Sequence, residues 1–441
     1  MKHSLILTLP LLFLFILSAS GQEKKVISLP EAATRAIEQS TVSKLADTRV
    51  ESAENELSIT KSEQYPNLSL SGQYLWLSHA NVNLQVSNGS GGEDTGGNNG
   101  SSPEVNQLLL GQANASMPLF SGFRLKNSLQ ADQNHLMATR MGSQNDKEEV
   151  TLQAITDYVE LYKAQQRVDL IREDLKTARQ RISAFQAKEA NGILGRNDLL
   201  KAQLHESRVL LALEEAEKTR DNLNRELIVL LQLPGGQEIA TDSTSVLQMA
   251  GIGSRDSLDR KDLLSLEYEQ RAAEDRVKSE QAAFYPSLTL TGGYIALDLH
   301  NALTVTNALT AGVGVSYDLA GIFKSGNKVR LARSRAKELE YQQQELREQI
   351  GLQLASARQE YELAQRKLEV YKKSREQAQE NYRIVKDKYD NGLSDTNDLL
   401  EADLEQLQSQ IDLSNARADL SLKYYELMGT EGVLSSLFVT D

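Results

Sequence analysis

Two stretches of this chain state one pattern at a fixed distance. Asn191-Gly192 followed by Asn197-Asp198-Leu199-Leu200 returns as Asn391-Gly392 followed by Asn397-Asp398-Leu399-Leu400, at an offset of 200 residues. Upstream, Tyr65-Pro66-Asn67-Leu68-Ser69-Leu70 returns as Tyr285-Pro286-Ser287-Leu288-Thr289-Leu290, at an offset of 220. Self-similarity over so long a distance is the mark of a tandem duplication, and it requires a fold in which one structural unit is used twice.

Each copy contains long helical patterns. Only seven prolines interrupt the 441 residues, and none lies in 123–233 or 287–441, so uninterrupted helices are permitted there. Leu161, Ala164, Val168, Ile171, Leu175, Ala178, Ile182 and Phe185 follow one another at alternating spacings of three and four, which is a heptad seam. Tyr361, Ala364, Leu368, Tyr371, Arg375, Ala378, Tyr382 and Val385 carry the same phase 200 residues later. The pattern predicts long helices over 123–190 and 325–390, each followed by a shorter one, 197–232 and 397–428. Another helix opens at Ser28-Leu29-Pro30-Glu31, where a capping hydroxyl, an early proline and a glutamate three residues after the cap coincide. It is expected over 29–64, with a counterpart at 255–284. A 68-residue helix spans roughly 100 Å at 1.5 Å per residue, so two half-length helices stacked end to end can flank it. The copies are repeat 1 over 22–232 and repeat 2 over 255–428, with a linker at 233–254 and a tail at 429–441.

Between these helices the period falls from 3.6 to 2. Leu68, Leu70, Gly72, Tyr74 and Trp76 alternate with Ser69, Ser71 and Gln73, and Ala113, Ala115, Met117 and Leu119 form a second alternating run. A hairpin over 67–120 is predicted, with a polar, glycine-rich loop at 87–103. Repeat 2 supplies the matching hairpin over 287–319 with a shorter loop, which accounts for the change of offset.

Residues 1–21 have the layout of a cleavable secretory signal: Lys2, an apolar run from Leu5 to Leu17 and small residues at Ser18-Ala19-Ser20-Gly21. No later stretch reaches the roughly 18–20 apolar residues of a spanning helix, so any bilayer crossing downstream must be made of strands. Strands of 10–14 residues suit a tilted outer-membrane strand, and Tyr74, Trp76, Phe120, Tyr294 and Tyr317 stand where interfacial aromatics would sit. Four strands alone leave unpaired edges in lipid, so a barrel has to close across chains: two chains give eight strands and three give twelve. The alternative is a soluble periplasmic coiled-coil structural or interaction protein carrying two ordinary hairpins. That reading explains neither the export segment nor the placement of the hairpins between helices.

Other classes are excluded by what the residues lack. The chain has no cysteine, and its formal charge of −13 becomes −14 when Lys2 leaves with the signal; with no basic stripe, nucleic acid is excluded as a partner. His3, His79, His135, His205 and His300 show no ligand spacing, so neither a metal site nor a cofactor is expected. Gly89 to Gly100 lacks the Lys-Ser/Thr of a phosphate loop. No catalytic constellation remains.

Ser28-Leu29-Pro30-Glu31-Ala32-Ala33 opening the first helix, Tyr65-Pro66 before the first strand, Pro118-Leu119-Phe120-Ser121-Gly122 closing the hairpin and the repeated Asn-Gly turn with its Asp-Leu-Leu resemble the TolC-like outer-membrane efflux proteins. The resemblance covers essentially the whole mature chain. It implies an α+β membrane protein: a homotrimeric, twelve-stranded β-barrel in the cell outer membrane, continued by a long α-helical coiled-coil barrel in the periplasm. Such a protein would be the passive exit duct of a tripartite efflux pump or type I secretion system. Its partners would be a periplasmic adaptor and an inner-membrane transporter of RND or ABC type.

The resemblance also assigns site residues. Asp398 and Glu401 match acidic positions that ring the periplasmic entrance, and in a trimer six carboxylates would favour cations there. The alternative for Asp398 is helix capping by Asn397 and Asp398. Asp198 and Tyr389 match positions that brace the closed entrance, although Tyr389 also continues the heptad seam and ordinary packing would explain it. Ser394 stands where the family has an arginine, with Arg196 nearby as a substitute.

Overall fold

The computed structural model describes residues 24–81, 104–247, 260–300 and 303–438. The expected signal at 1–21, the loop at 87–103 and residues 248–254 of the linker lie outside the described residues. The elements run β1 (Lys24–Ile27), α1 (Leu29–Gln39), α2 (Thr41–Ser62), β2 (Asn67–Asn81), β3 (Glu104–Ser121), α3 (Arg124–Ala190), α4 (Arg196–Leu230), β4 (Glu238–Thr241), α5 (Ser243–Leu247), α6 (Lys261–Gln281), β5 (Ser287–Leu299), β6 (Leu303–Ser316), α7 (Leu319–Asp390) and α8 (Thr396–Glu431).

One compact unit takes in 45–146 and 260–352 and contains the four-stranded sheet. The four strands pair antiparallel throughout in the order β2-β3-β5-β6, so the two hairpins meet through β3 and β5 and leave β2 and β6 as edges. At 15, 18, 13 and 14 residues the strands of the first hairpin are longer than the expected 10–14. Register aligns the pleats of all four. Leu70, Ala113, Tyr294 and Leu309 fall in one cross-strand row, and Leu68, Ala115, Gly292 and Ala311 in the next row on that side. The opposite side carries Ser69, Asn114, Gly293 and Thr310. Because side chains alternate with period 2, this register gives the sheet one apolar and one polar face. The apolar face is bare: Leu68, Leu70, Leu309 and Val315 are each at least 71% exposed.

Strand β3 passes to α3 through a tight corner. Gly122 has φ +63° and Phe123 φ +67°, and a Cβ on Gly122 would lie 2.6 Å from the Ala282 carbonyl oxygen. Glycine is required there twice over, for the left-handed backbone and for the close approach.

The other unit takes in the described residues up to 44, then 147–247 and 353–438. The stretch read as one helix over 29–64 is interrupted. Ser40 is extended (ψ 150°), its hydroxyl accepts from the Ser43 amide at 3.1 Å, and the Ser43 hydroxyl donates to the Ile37 carbonyl. Serine side chains offer the backbone such local partners, so Ser40 ends α1 and caps α2. Strand β1, which was not anticipated, pairs in parallel with β4. Together they cover a core of Ile27, Leu29, Ile155, Tyr158, Leu227, Leu231, Ile239 and Met428, all 2% exposed or less. The Tyr158 hydroxyl donates to the Ile27 carbonyl at 2.6 Å and accepts from the Asp242 amide at 2.8 Å, which ties both strands to α3.

The two seams have different surroundings. Leu161, Val168, Ile171, Leu175, Ala178 and Phe185 on α3 are buried at 5% exposure or less, and Val168, Ile171 and Leu175 pack with Val209 and Leu213 of α4 and Ile411 of α8. On α7 only Ala364 of the corresponding set is buried, while Tyr361, Leu368, Tyr371, Ala378, Tyr382 and Val385 are half-covered.

Candidate functional site

The two Asn-Gly turns have nearly one geometry. Gly192 and Gly392 adopt left-handed φ of 69° and 73°, and the amides of Ile193 and Leu393 donate to the carbonyls of Lys188 and Lys388 at 2.9 and 2.8 Å. This is the six-to-one closure of a helix C-terminus around a left-handed glycine. Asn191 and Asn391 add side-chain bonds to the Ala187 and Asp387 carbonyls, both at 2.7 Å. Ile193 and Leu393, at 74% and 77% exposure, stand out from the turns.

Beyond the turns the copies diverge. Helix α8 is capped by Asp395 and not by Asn397 or Asp398. The Asp395 carboxylate accepts from the amides of Asn397 at 2.7 Å and Asp398 at 3.0 Å, and the Asp398 carboxylate accepts from the Asp395 amide at 3.4 Å, a reciprocal capping box. Helix α4 begins at Gly195 with no side-chain cap. Asp198 instead pairs with Lys201 at 3.7 Å. Asp398 also accepts from the Ser394 hydroxyl at 2.7 Å. Both Asp398 and Glu401 are exposed. Arg196 pairs with Glu189 at 3.3 Å across its own turn and does not reach the second tip.

Tyr389 stacks on Phe185 with ring centroids 5.8 Å apart, and Lys188 lies 5.5 Å over its ring. Tyr389 and Phe185 join Leu199, Ala202, Ile182 and Leu194 in a small apolar cluster. Burial pushes the Tyr389 hydroxyl up, and the Asp198 carboxylate adds to that. No hydrogen bond joins Asp198 to Tyr389 among the described residues.

A set of residues that sequence reasoning passed over lies roughly three helical turns from the Asn-Gly turns. Arg181 of α3 donates to Asp403 of α8 at 2.7 Å, with the side chains 9% and 6% exposed. The His205 Nε2 of α4 is 3.6 Å from the same Asp403 oxygen, and the Tyr382 hydroxyl of α7 is 3.5 Å from Arg181. Four helices contribute. Asp403 is held below the usual carboxylate range by its partners His205 and Arg181, which outweigh its burial. Asp174, also beside it, is raised to about 6 by burial and then by the Asp403 charge. The only trace of this set in sequence is that Arg181 and Asp403 sit one residue from the apolar positions Ile182 and Ala402.

The aromatics fall at distinct levels of the sheet. Phe120 pairs with Leu288, and Tyr74 pairs with Leu109, which pairs with Asp298. From Leu288 to Asp298 is roughly 33 Å of strand at 3.3 Å per residue. Phe120 packs edge-on to Phe123 at 5.1 Å, and Phe123 to Tyr285 at 6.0 Å. Tyr317 follows β6 on that side, and Trp76 lies beyond Tyr74. Tyr294 falls between the two levels, and its hydroxyl donates to Asn307 at 3.0 Å.

Among the described residues no group of three or more His, Asp or Glu could hold a metal ion, and no helix is long and apolar enough to cross a membrane. A groove of about 630 Å³ lined by Arg276, Lys328 and Arg335 beside Glu280 and Glu338 holds none of the residues named above.

A sheet with one bare apolar face on a mostly helical chain defines a membrane-associated β-sheet protein with helical extensions. The sequence model of the outer membrane efflux protein family matches residues 35–232 and 256–432, and the chain belongs to that family. It is a passive outer-membrane conduit for efflux and not an enzyme. The chain is 22% identical over 325 residues to the outer membrane efflux protein BepC of Brucella suis, covering 72% of this chain and 71% of that one. It is 27% identical over 269 residues to the cation efflux system protein CusC of Escherichia coli K12, covering 57% of this chain and 52% of that one. Among solved structures it is similar to CusC (TM-score 0.76, 16% identity, 91% of both chains). It is also similar to the Campylobacter jejuni CmeC outer membrane channel (TM-score 0.75, 18% identity, 92% of this chain and 86% of that one).

Proposed function

We propose that three copies of this chain form the exit duct of a tripartite efflux or secretion system, with a twelve-stranded barrel in the outer membrane and a helical tunnel in the periplasm. The observation that carries this is the amphipathic four-stranded sheet ending in two edges, β2 and β6. Each unpaired backbone group in hydrocarbon costs several kcal/mol, so the edges must meet across subunits. The half-covered seam on α7 supports the same conclusion, because a heptad stripe needs a facing helix. The family match in two segments supports a duplicated chain. Three copies rest on the family resemblance, since two would also close a sheet.

Tyr74 and Trp76 would mark one membrane interface, and Phe120 and Tyr317 the other. Tilted by about 40°, the 33 Å of strand between them spans roughly 25 Å, the height of an outer-membrane apolar band. Tyr294 then lies inside the band. The chain has no cysteine to lipidate, so anchoring rests on the strands. The tips at 191–198 and 391–401 form the periplasmic entrance, where Asp398 and Glu401 line the opening, Asp198 and Tyr389 brace it, and Ile193 and Leu393 face the adaptor that links the duct to its transporter. Residues 1–21 direct export and are removed. Native mass measurement of the detergent-extracted protein should give a trimer; a monomer would overturn the shared barrel.

A further inference from the structure

The buried charges beneath the tip have a geometric relation to the entrance carboxylates. Asp403 and Glu401 are two residues apart on α8, hence about 200° apart around its axis. Asp403 faces inward to Arg181, and Glu401 faces away into solvent. One helix thus carries a captive carboxylate on one side and an exposed carboxylate on the other. A second link from α3 to α8, Lys163 to Asp419 at 2.9 Å, lies far from the tip and is more exposed, so it leaves the tip end of α8 to the first. A guanidinium presents donors in a fixed plane and a desolvated pair tolerates little displacement, so the Arg181–Asp403 contact resists rotation of the helix. His205 Nε2 of α4 lies 3.6 Å from the same carboxylate.

We propose that Arg181 and Asp403, with His205 beside them, are positioning residues that fix the rotation of α8 about its own axis and thereby set the direction in which Asp398 and Glu401 point. This rests on reading the 391–401 tip as the duct entrance. Substrate-sized cations would then meet a ring whose spacing is dictated by a pair they never touch.

The test is block of single-channel current by hexamminecobalt(III) in the full-length protein reconstituted in planar bilayers. Arg181→Met and Asp403→Asn should each weaken block by about tenfold with all entrance carboxylates still present, because misdirected carboxylates no longer converge on the ion. Arg181→Lys, which keeps the charge but not the fixed donor plane, should weaken block less than Arg181→Met does. Asp398→Asn with Glu401→Gln should abolish block. If that double variant loses block while Arg181→Met and Asp403→Asn keep it, the brace is overturned and the entrance reading stands. If the double variant is blocked like wild type, the entrance reading fails and the brace with it. Should the single variants not assemble, Arg181→Met with Asp403→Leu removes both charges together and leaves none buried alone. Weakened block in that protein supports the brace, and wild-type block overturns it.

Discussion

The Ser394 hydroxyl donates to the Asp398 carboxylate at 2.7 Å, and the same carboxylate accepts from the Asp395 amide at 3.4 Å. Ser394 therefore supports Asp398 within its own turn, while Asp395 caps the helix. Asp395→Ala should cost about 1 kcal/mol of local stability, the usual worth of an N-cap. Ser394→Ala, at an exposed site, should cost less than about 0.5 kcal/mol. Hydrogen exchange of the Asn397 and Asp398 amides, accelerated in the first variant and nearly unchanged in the second, checks both.

The Arg181–Asp403 pair makes a sharper prediction for stability. Asp403→Ala removes the hydrogen-bonded carboxylate of a buried guanidinium and should cost about 3–5 kcal/mol, whereas Arg181→Met with Asp403→Leu should be close to neutral. Denaturant melts of the solubilised protein compare the two directly.

Glycines with similar backbone angles should differ in cost because their surroundings differ. At Gly192 a Cβ meets nothing within 4 Å, so Gly192→Ala should cost about 1 kcal/mol of left-handed strain. At Gly122 the added Cβ would also strike the Ala282 carbonyl oxygen at 2.6 Å and the Tyr285 Cβ at 2.9 Å. Gly122→Ala should therefore lose several kcal/mol and fail to yield outer-membrane protein, as read by membrane fractionation.

Two titrations favour mild acid. The His135 pKa is raised chiefly by its hydrogen bond to Glu269 at 2.6 Å, so its contribution is complete below the ordinary histidine value and is lost as pH climbs through the raised one. Asp174, raised to about 6, opposes folding while ionised: the penalty is complete above about 6 and vanishes below its ordinary value of 3.8. His135→Gln should remove part of the stabilisation seen between pH 8 and pH 6. Asp174→Asn should raise stability at pH 8 by on the order of 1 kcal/mol, after allowance for solvent screening, and by little at pH 4. Melting temperatures across that range separate the two.

Local codes in the chain are written in contiguous residues, and for that reason they can be read without a structure. Gly192 and Gly392 end helices because an achiral residue enters the left-handed region at no steric cost, and the alternation of Leu68 with Ser69 and Leu70 with Ser71 marks a strand because side-chain direction has period 2. The spacing of Leu161 through Phe185 marks a helical stripe in the same way. What the stripe packs against is another matter: equal seams on α3 and α7 are buried in one case and half-covered in the other. The break at Ser40 has no local sequence signal, because a serine inside a helical pattern becomes a cap only when its neighbours leave the backbone free to turn. Strand β1 needed β4 more than two hundred residues away to become a strand at all.

The residues of the proposed entrance divide along the same line. Asp398, Glu401 and Tyr389 could be singled out because they belong to a contiguous tip pattern, whereas Arg181, His205 and Asp403 come from three helices and nothing in their local sequence distinguishes them from surface charges. Sequence by itself determined the repeat, the order of helices and strands, and the need for strands to do any crossing of the membrane, since these depend on periodicity and neighbouring residues. Only the tertiary structure decided which carboxylate is captive and which is presented, because burial and the pairing of charges depend on distances between helices that share no sequence proximity.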